Sequence, residues 1–244
     1  MAVVMLLAVY ILAGMLAAEG KSKSGQTTEK GKSQVEEKCE KTQKKVAIDA
    51  GHGGVDGGAV SVLGYSEKDI NLSIALLLKE KLEEKNICVV MTRESDTGLY
   101  SETDMNKKIA DMKARCEMVN SSCADVLISI HQNNYPSEGV KGAQVFYYAE
   151  SAQGKKLGET LQRCLIEDVD NENGRCAKAN KEYYLLLHIN CPAVIAECGF
   201  LSNYEEAKLL ETEEYQQKIA DALCEGICVY LDEADENTEN MHLK

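Results

Sequence analysis

Three short apolar runs each lead into a side chain that can bind a metal or move a proton. Val46 to Asp49 delivers His52 into the turn Gly51-His52-Gly53-Gly54, Val126 to Ile130 ends in His131, and Ala193 to Ala196 ends in Glu197. A fourth such group, Glu67, follows His52 by fifteen residues. Buried strands that place functional residues just past their ends are how an open α/β sheet builds a site. The pattern points to an α/β domain: a mostly parallel, twisted sheet of about six strands, helices on both faces, and a site at the C-terminal strand ends.

The intervening segments supply the helices. Leu72, Ala75, Leu76, Leu78 and Leu82 give helical spacing over 70–84, and the spacing resumes over 104–120 with Asp104 as N-cap. Cys88 to Thr92 and Gly142 to Tyr148 are further strands, 152–168 is an amphipathic helix and 170–175 a polar loop. Leu185 to Leu187 is expected as one more strand. Ser202 is expected to cap a short helix through Leu210, and 213–231 to form the closing helix. These elements make one catalytic domain over 45–231, followed by a charged, frayed tail over 232–244.

Composition sets the class. With 244 residues, 44% of them hydrophobic, the chain can bury one good-sized core. A net charge of −13 argues against nucleic-acid binding, which calls for a basic surface. The ten cysteines fall mostly among apolar residues and form no Cys-x-x-Cys pair, so mostly unpaired core thiols are expected rather than a disulfide framework. Residues 1–18 are uninterruptedly apolar, which suggests a signal peptide or membrane anchor. Residues 19–44, rich in Lys, Glu, Ser, Gln and Thr, suggest a flexible linker from that segment to the domain.

Each candidate residue has two readings. His52 in its glycine turn is a metal ligand or a turn histidine bonded to backbone. No Walker or dinucleotide pattern accompanies the glycines. Glu67 is a ligand or an acid that complements the dipole of the first long helix. His131, followed by Gln132-Asn133-Asn134, ends a buried strand where polar residues usually serve a site. Glu197 is an acid/base group or half of a buried salt bridge to Arg93 or Arg115, because a buried acid without a partner is costly. His188 and His242 lie outside any strand-end context. Two histidines and a carboxylate suit catalytic zinc, and a remaining carboxylate can move protons, so the set indicates a hydrolase.

The motifs Ile48-Asp-Ala-Gly-His-Gly-Gly54, Glu67-Lys-Asp-Ile-Asn-Leu72, Met91-Thr-Arg93, Ser129-Ile-His-Gln-Asn133 and Glu197-Cys-Gly-Phe-Leu-Ser-Asn203 resemble, in order, those of the zinc-dependent N-acetylmuramoyl-L-alanine amidases of the bacterial cell wall. Gln144 to Tyr148, Arg175 to Asn180 and Tyr183 to Leu186 are similar to the germination-specific subgroup that acts on spore cortex and prepares muramic δ-lactam. The resemblance implies one zinc ion per chain on His52, Glu67 and His131, with Glu197 as the catalytic carboxylate. It also implies supporting roles for Asn133 and Arg93, in positioning substrate or bracing the ligands. The implied substrate is peptidoglycan, cut between the lactyl carbonyl of N-acetylmuramic acid and L-alanine. The implied setting is the exported, membrane-tethered or secreted face of a spore-forming bacterium. Too few residues separate Tyr148 from Tyr183 for the long helical insert that blocks the site in many of these amidases. Control is therefore expected to lie elsewhere, including an activating protein partner. A zinc exopeptidase and a wall-binding protein without catalysis are the alternative functions.

Overall fold

The computed structural model describes residues 43–242, with side chains through residue 235. The apolar run over 1–18 and the polar stretch up to residue 42 lie outside the described residues. In chain order the elements are β1 (Lys45–Ala50), α1 (Glu67–Glu84), β2 (Cys88–Met91), α2 (Lys107–Ser121), β3 (Val126–Asn133), β4 (Gln144–Tyr148), α3 (Ala152–Asp168), β5 (Lys178–Asn180), α4 (Tyr184–His188), β6 (Ala193–Phe200), α5 (Tyr204–Leu210) and α6 (Glu213–His242).

The strands form one six-stranded sheet in the order β2-β1-β3-β6-β4-β5. All neighbours are parallel except β4, which runs antiparallel to β6. Because side chains alternate across a strand, each central strand divides its residues between two cores. Val46, Ile48, Val126, Ile128, Ile130, Val194, Ala196 and Cys198 face the larger core, completed by α1, α3 and α6. Ala47, Leu127, Ala193 and Ile195 face a smaller core with residues of α2 and α4. Each fully buried leucine or isoleucine in these layers contributes roughly 1.5–3 kcal/mol.

The same alternation sorts the polar residues. Asp49, Ser129, His131 and Glu197 continue the odd-numbered series of Ala47, Leu127 and Ile195, so they share the smaller-core face. Register aligns them in pairs: Asp49 lies opposite Ser129, and His131 opposite Glu197.

Several expected boundaries move. Helix α1 starts at Glu67 itself. The cap of α2 is Asn106, whose side chain accepts from the Ile109 amide at 3.1 Å. Asp104 lies too far upstream to reach that turn and accepts from the Ser101 amide instead. Leu185 to Leu187 belong to helix α4, not a strand. The Asn180 side chain takes the amides of Glu182 and Tyr183 and turns the chain out of the sheet, while β5 occupies the edge position. Asn203, not Ser202, caps α5; Ser202 Oγ accepts from the Tyr135 amide. Helix α6 runs on to His242 through the expected tail. Charged residues there are engaged: Asp235 pairs with Lys44 and Glu233 with Lys156. Among the described residues no helix is long and apolar enough to cross a membrane.

Candidate metal centre and active site

Past the end of β1 the chain enters a turn held by two buried arginines. His52 adopts φ +63°, left-handed backbone that costs a non-glycine residue roughly 1–2 kcal/mol. Arg93 donates to the carbonyls of Ala50 and Gly51 at 2.8 and 3.0 Å, and to those of Ser95 and Lys68. Arg115 donates to the carbonyls of Ala50 and His52 at 2.8 and 2.6 Å. Arg115 is itself clamped by Asp49 at 2.7 Å and Asp111 at 2.6 Å. Burial works to raise the Asp49 pKa, but the Arg115 guanidinium and the Ser129 and Thr92 hydroxyls prevail and lower it from 3.8 to about 2. Sequence reasoning offered these arginines as partners for Glu197, yet their hydrogen bonds run to the turn carrying His52.

That turn brings three predicted residues together. Ligand atoms of His52, Glu67 and His131 lie within 4.8 Å of one another. Glu67, the first residue of α1, faces His131 Nδ1 with Oε1 at 2.9 Å and His52 Nε2 with Oε2 at 3.2 Å. The two imidazoles meet edge-on with centroids 4.9 Å apart. Two glycines make the approach possible. A Cβ on Gly51 would lie 2.2 Å from the His131 ring, and one on Gly58 would lie 2.5 Å from Glu67 Oε2. Burial raises the Glu67 pKa, but hydrogen bonds from His131 and His52 hold it well below the usual carboxylate range. For His131, burial works to lower the pKa, and contact with Glu67 and the nearby Glu197 raise it.

Glu197 lines the same cavity, of about 360 Å³, together with Asn133, Lys108 and Tyr183. Its Oε2 is buried with no hydrogen-bond partner among the described residues. Burial pushes its pKa up from 4.5 to about 7, assisted by Glu67 and opposed by the two histidines. Cys198 points into the opposite core, fully buried. Two imidazole nitrogens and a carboxylate oxygen converging beside a carboxylate that lacks a partner fit a divalent metal better than a closed salt-bridge network.

Sequence reasoning passed over two residues that touch these ligands. Asn71, fully buried, donates to Glu67 Oε1 at 3.3 Å and the Gly51 carbonyl at 3.1 Å. Its place one helical turn after Glu67 was the available signal. Asp56 Oδ1 lies 3.1 Å from His52 Nδ1, within a loop whose turns hide such pairing from the sequence.

Residues 46–229 match the family model described as N-acetylmuramoyl-L-alanine amidase. The chain belongs to that family. This amidase is 39% identical over 199 residues to the germination-specific N-acetylmuramoyl-L-alanine amidase of Bacillus subtilis, covering 80% of this chain and 83% of the relative. It is similar to the CwlD amidase of Clostridioides difficile solved in complex with the GerS lipoprotein, at 42% identity and a TM-score of 0.76 over 78% of this chain and 99% of that one. A second amidase structure, from Clostridium difficile 630, gives 35% identity and a TM-score of 0.69 over 78% and 97% of the two chains. The amidase is thus an enzyme, and its candidate centre is the cluster at the ends of β1, β3 and β6.

Proposed function

We propose that this amidase is a zinc enzyme of the spore cortex, with His52, Glu67 and His131 as its metal ligands and Glu197 as its proton carrier. The observation that carries this reading is the convergence of those three donors in one cavity with a carboxylate that lacks a partner. Zinc, when bound, supplies Lewis acidity to the lactyl carbonyl and to the attacking water. The protein's own residues do the rest. Glu197, with a pKa near 7, accepts the water's proton and returns it to the departing nitrogen of L-alanine, which suits work close to neutral pH. Asn133 presents a side-chain amide at the cavity wall to position substrate, and Arg93 braces the turn that aims His52.

The cortex assignment, with muramic δ-lactam as the eventual product, rests on the similarity to the germination-specific relative. Similarity to an amidase solved with a lipoprotein supports an activating protein partner. Residues 1–18 would then export or anchor the chain, 19–44 tether it, and 45–231 act on the wall of the developing spore. The test is digestion of purified cortex peptidoglycan by the zinc-loaded full-length chain, with products read by mass spectrometry. Stem peptides beginning with L-alanine and peptide-free muramic acid are expected. Release from free peptides lacking sugar would turn the reading toward an exopeptidase, and binding without any release would turn it toward a wall-binding protein or a missing partner.

A further inference from the structure

His52 offers its Nε2 side to Glu67, and its other nitrogen is also engaged. Nδ1 lies 3.1 Å from Asp56 Oδ1, four residues along the glycine loop. The carboxylate is built into place. Gly53 and Asp56 exchange both backbone hydrogen bonds, at 2.9 and 3.1 Å, which fixes residue 56 across the turn from the histidine. The Gly58 amide donates to the same Oδ1 at 3.1 Å, and Lys108 approaches Oδ2 at 3.5 Å. An imidazole has one N–H when neutral, and the partner of one nitrogen decides what the other can do. Both nitrogens face carboxylates, Asp56 at 3.1 Å and Glu67 at 3.2 Å, so a metal at Nε2 would take the proton's place on the Glu67 side and leave Asp56 as the acceptor for Nδ1–H.

We propose that Asp56 is a positioning residue of the metal centre: by accepting from Nδ1–H it fixes the ring orientation of His52, so that Nε2 is aimed at the metal. Its side chain is one-third exposed, which alone would suit an ordinary surface ion pair. The backbone pairing and the Gly58 bond set it apart, because they orient the carboxylate independently of the histidine. This inference rests on the zinc reading of the site.

The experiment uses the full-length chain and its D56N and D56A variants. Zinc affinity is measured by competition with a chromophoric chelator. The His52 Nδ1–H is followed in the zinc-loaded protein by its proton shift and exchange rate, and metal-free thermal stability is recorded alongside. D56A is expected to bind zinc 10–100-fold more weakly and to lose the downfield, slowly exchanging Nδ1–H signal, with its metal-free melting temperature near that of the parent. D56N keeps an acceptor oxygen and should recover most of both. Parent-like zinc affinity and a parent-like Nδ1–H signal in D56A would overturn the proposal. So would equal losses in D56A and D56N that track a fall in metal-free stability, since the residue would then merely hold the loop. A parent chain that binds no zinc would overturn the zinc reading together with this inference, whereas tight parental binding with an unaffected D56A would remove only the inference.

Discussion

At the scale of single residues, Glu197 is held in a place that disfavours its own charge. The rise of its pKa from 4.5 to about 7 corresponds to about 3 kcal/mol. A raised pKa gives stability that is fully present below pH 4.5 and is lost as pH climbs through 7. Metal-free E197Q should therefore match the parent near pH 4 and exceed it in chemical denaturation at pH 8. The same variant should keep its zinc and lose 10²- to 10⁴-fold in amide hydrolysis, since an amide cannot carry the proton. A hydrolytic rate equal to the parent's would defeat the assigned role. H131A should lose zinc by elemental analysis. Asp49 behaves oppositely: its depressed pKa gives stability that is present above about pH 4 and lost as pH falls through 2. The loss amounts to roughly 2 kcal/mol. D49N should flatten that acid limb. It should also cost roughly 2 kcal/mol at neutral pH, since Arg115 loses Asp49 but keeps Asp111 at 2.6 Å. Urea titrations from pH 2 to 7 would show both effects.

At the scale of elements, the long periodic helices and the apolar strands were legible, and the segment over 178–188 was not. The spacing of Leu72, Ala75, Leu76, Leu78 and Leu82 declares a helix, although the face it buries runs through Ile70, Ile74, Ala75, Leu78 and Leu82 and leaves Leu76 exposed. The three leucines at 185–187 carry no period at all, so a strand and a helical turn fit them equally until Asn180 redirects the chain. Helices α3 and α6 pack closely enough that the small residue between them matters. Alanine favours a helix over glycine by about 1 kcal/mol. A Cβ on Gly226, however, would lie 2.7 Å from Leu161 Cδ2 and 3.3 Å from its Cα, and the latter cannot swing aside. G226A is accordingly expected to lose roughly 1–3 kcal/mol in equilibrium unfolding; a more stable variant would mean that the two helices separate freely.

At the scale of the whole molecule, the nine cysteines among the described residues are all free, in keeping with the expectation of mostly unpaired thiols. Thiol titration of the unfolded, unreduced chain should find at least nine, and a count of one or none would contradict this arrangement. The sequence by itself determined the α/β class, the sheet's parallel centre and the identity of the residues at its strand ends. Hydrophobic period and strand-end position are local properties, written within a few residues of one another. The motif resemblance already implied that His52, Glu67 and His131 share a site; only the tertiary structure gave their distances, set Arg93 and Arg115 on a turn rather than on Glu197, and brought Asp56 to His52. The cluster and the arginine contacts depend on strand register and on a left-handed turn held by residues more than forty positions away, while the Asp56 contact depends on the exact path of the glycine loop, and no apolar period encodes either.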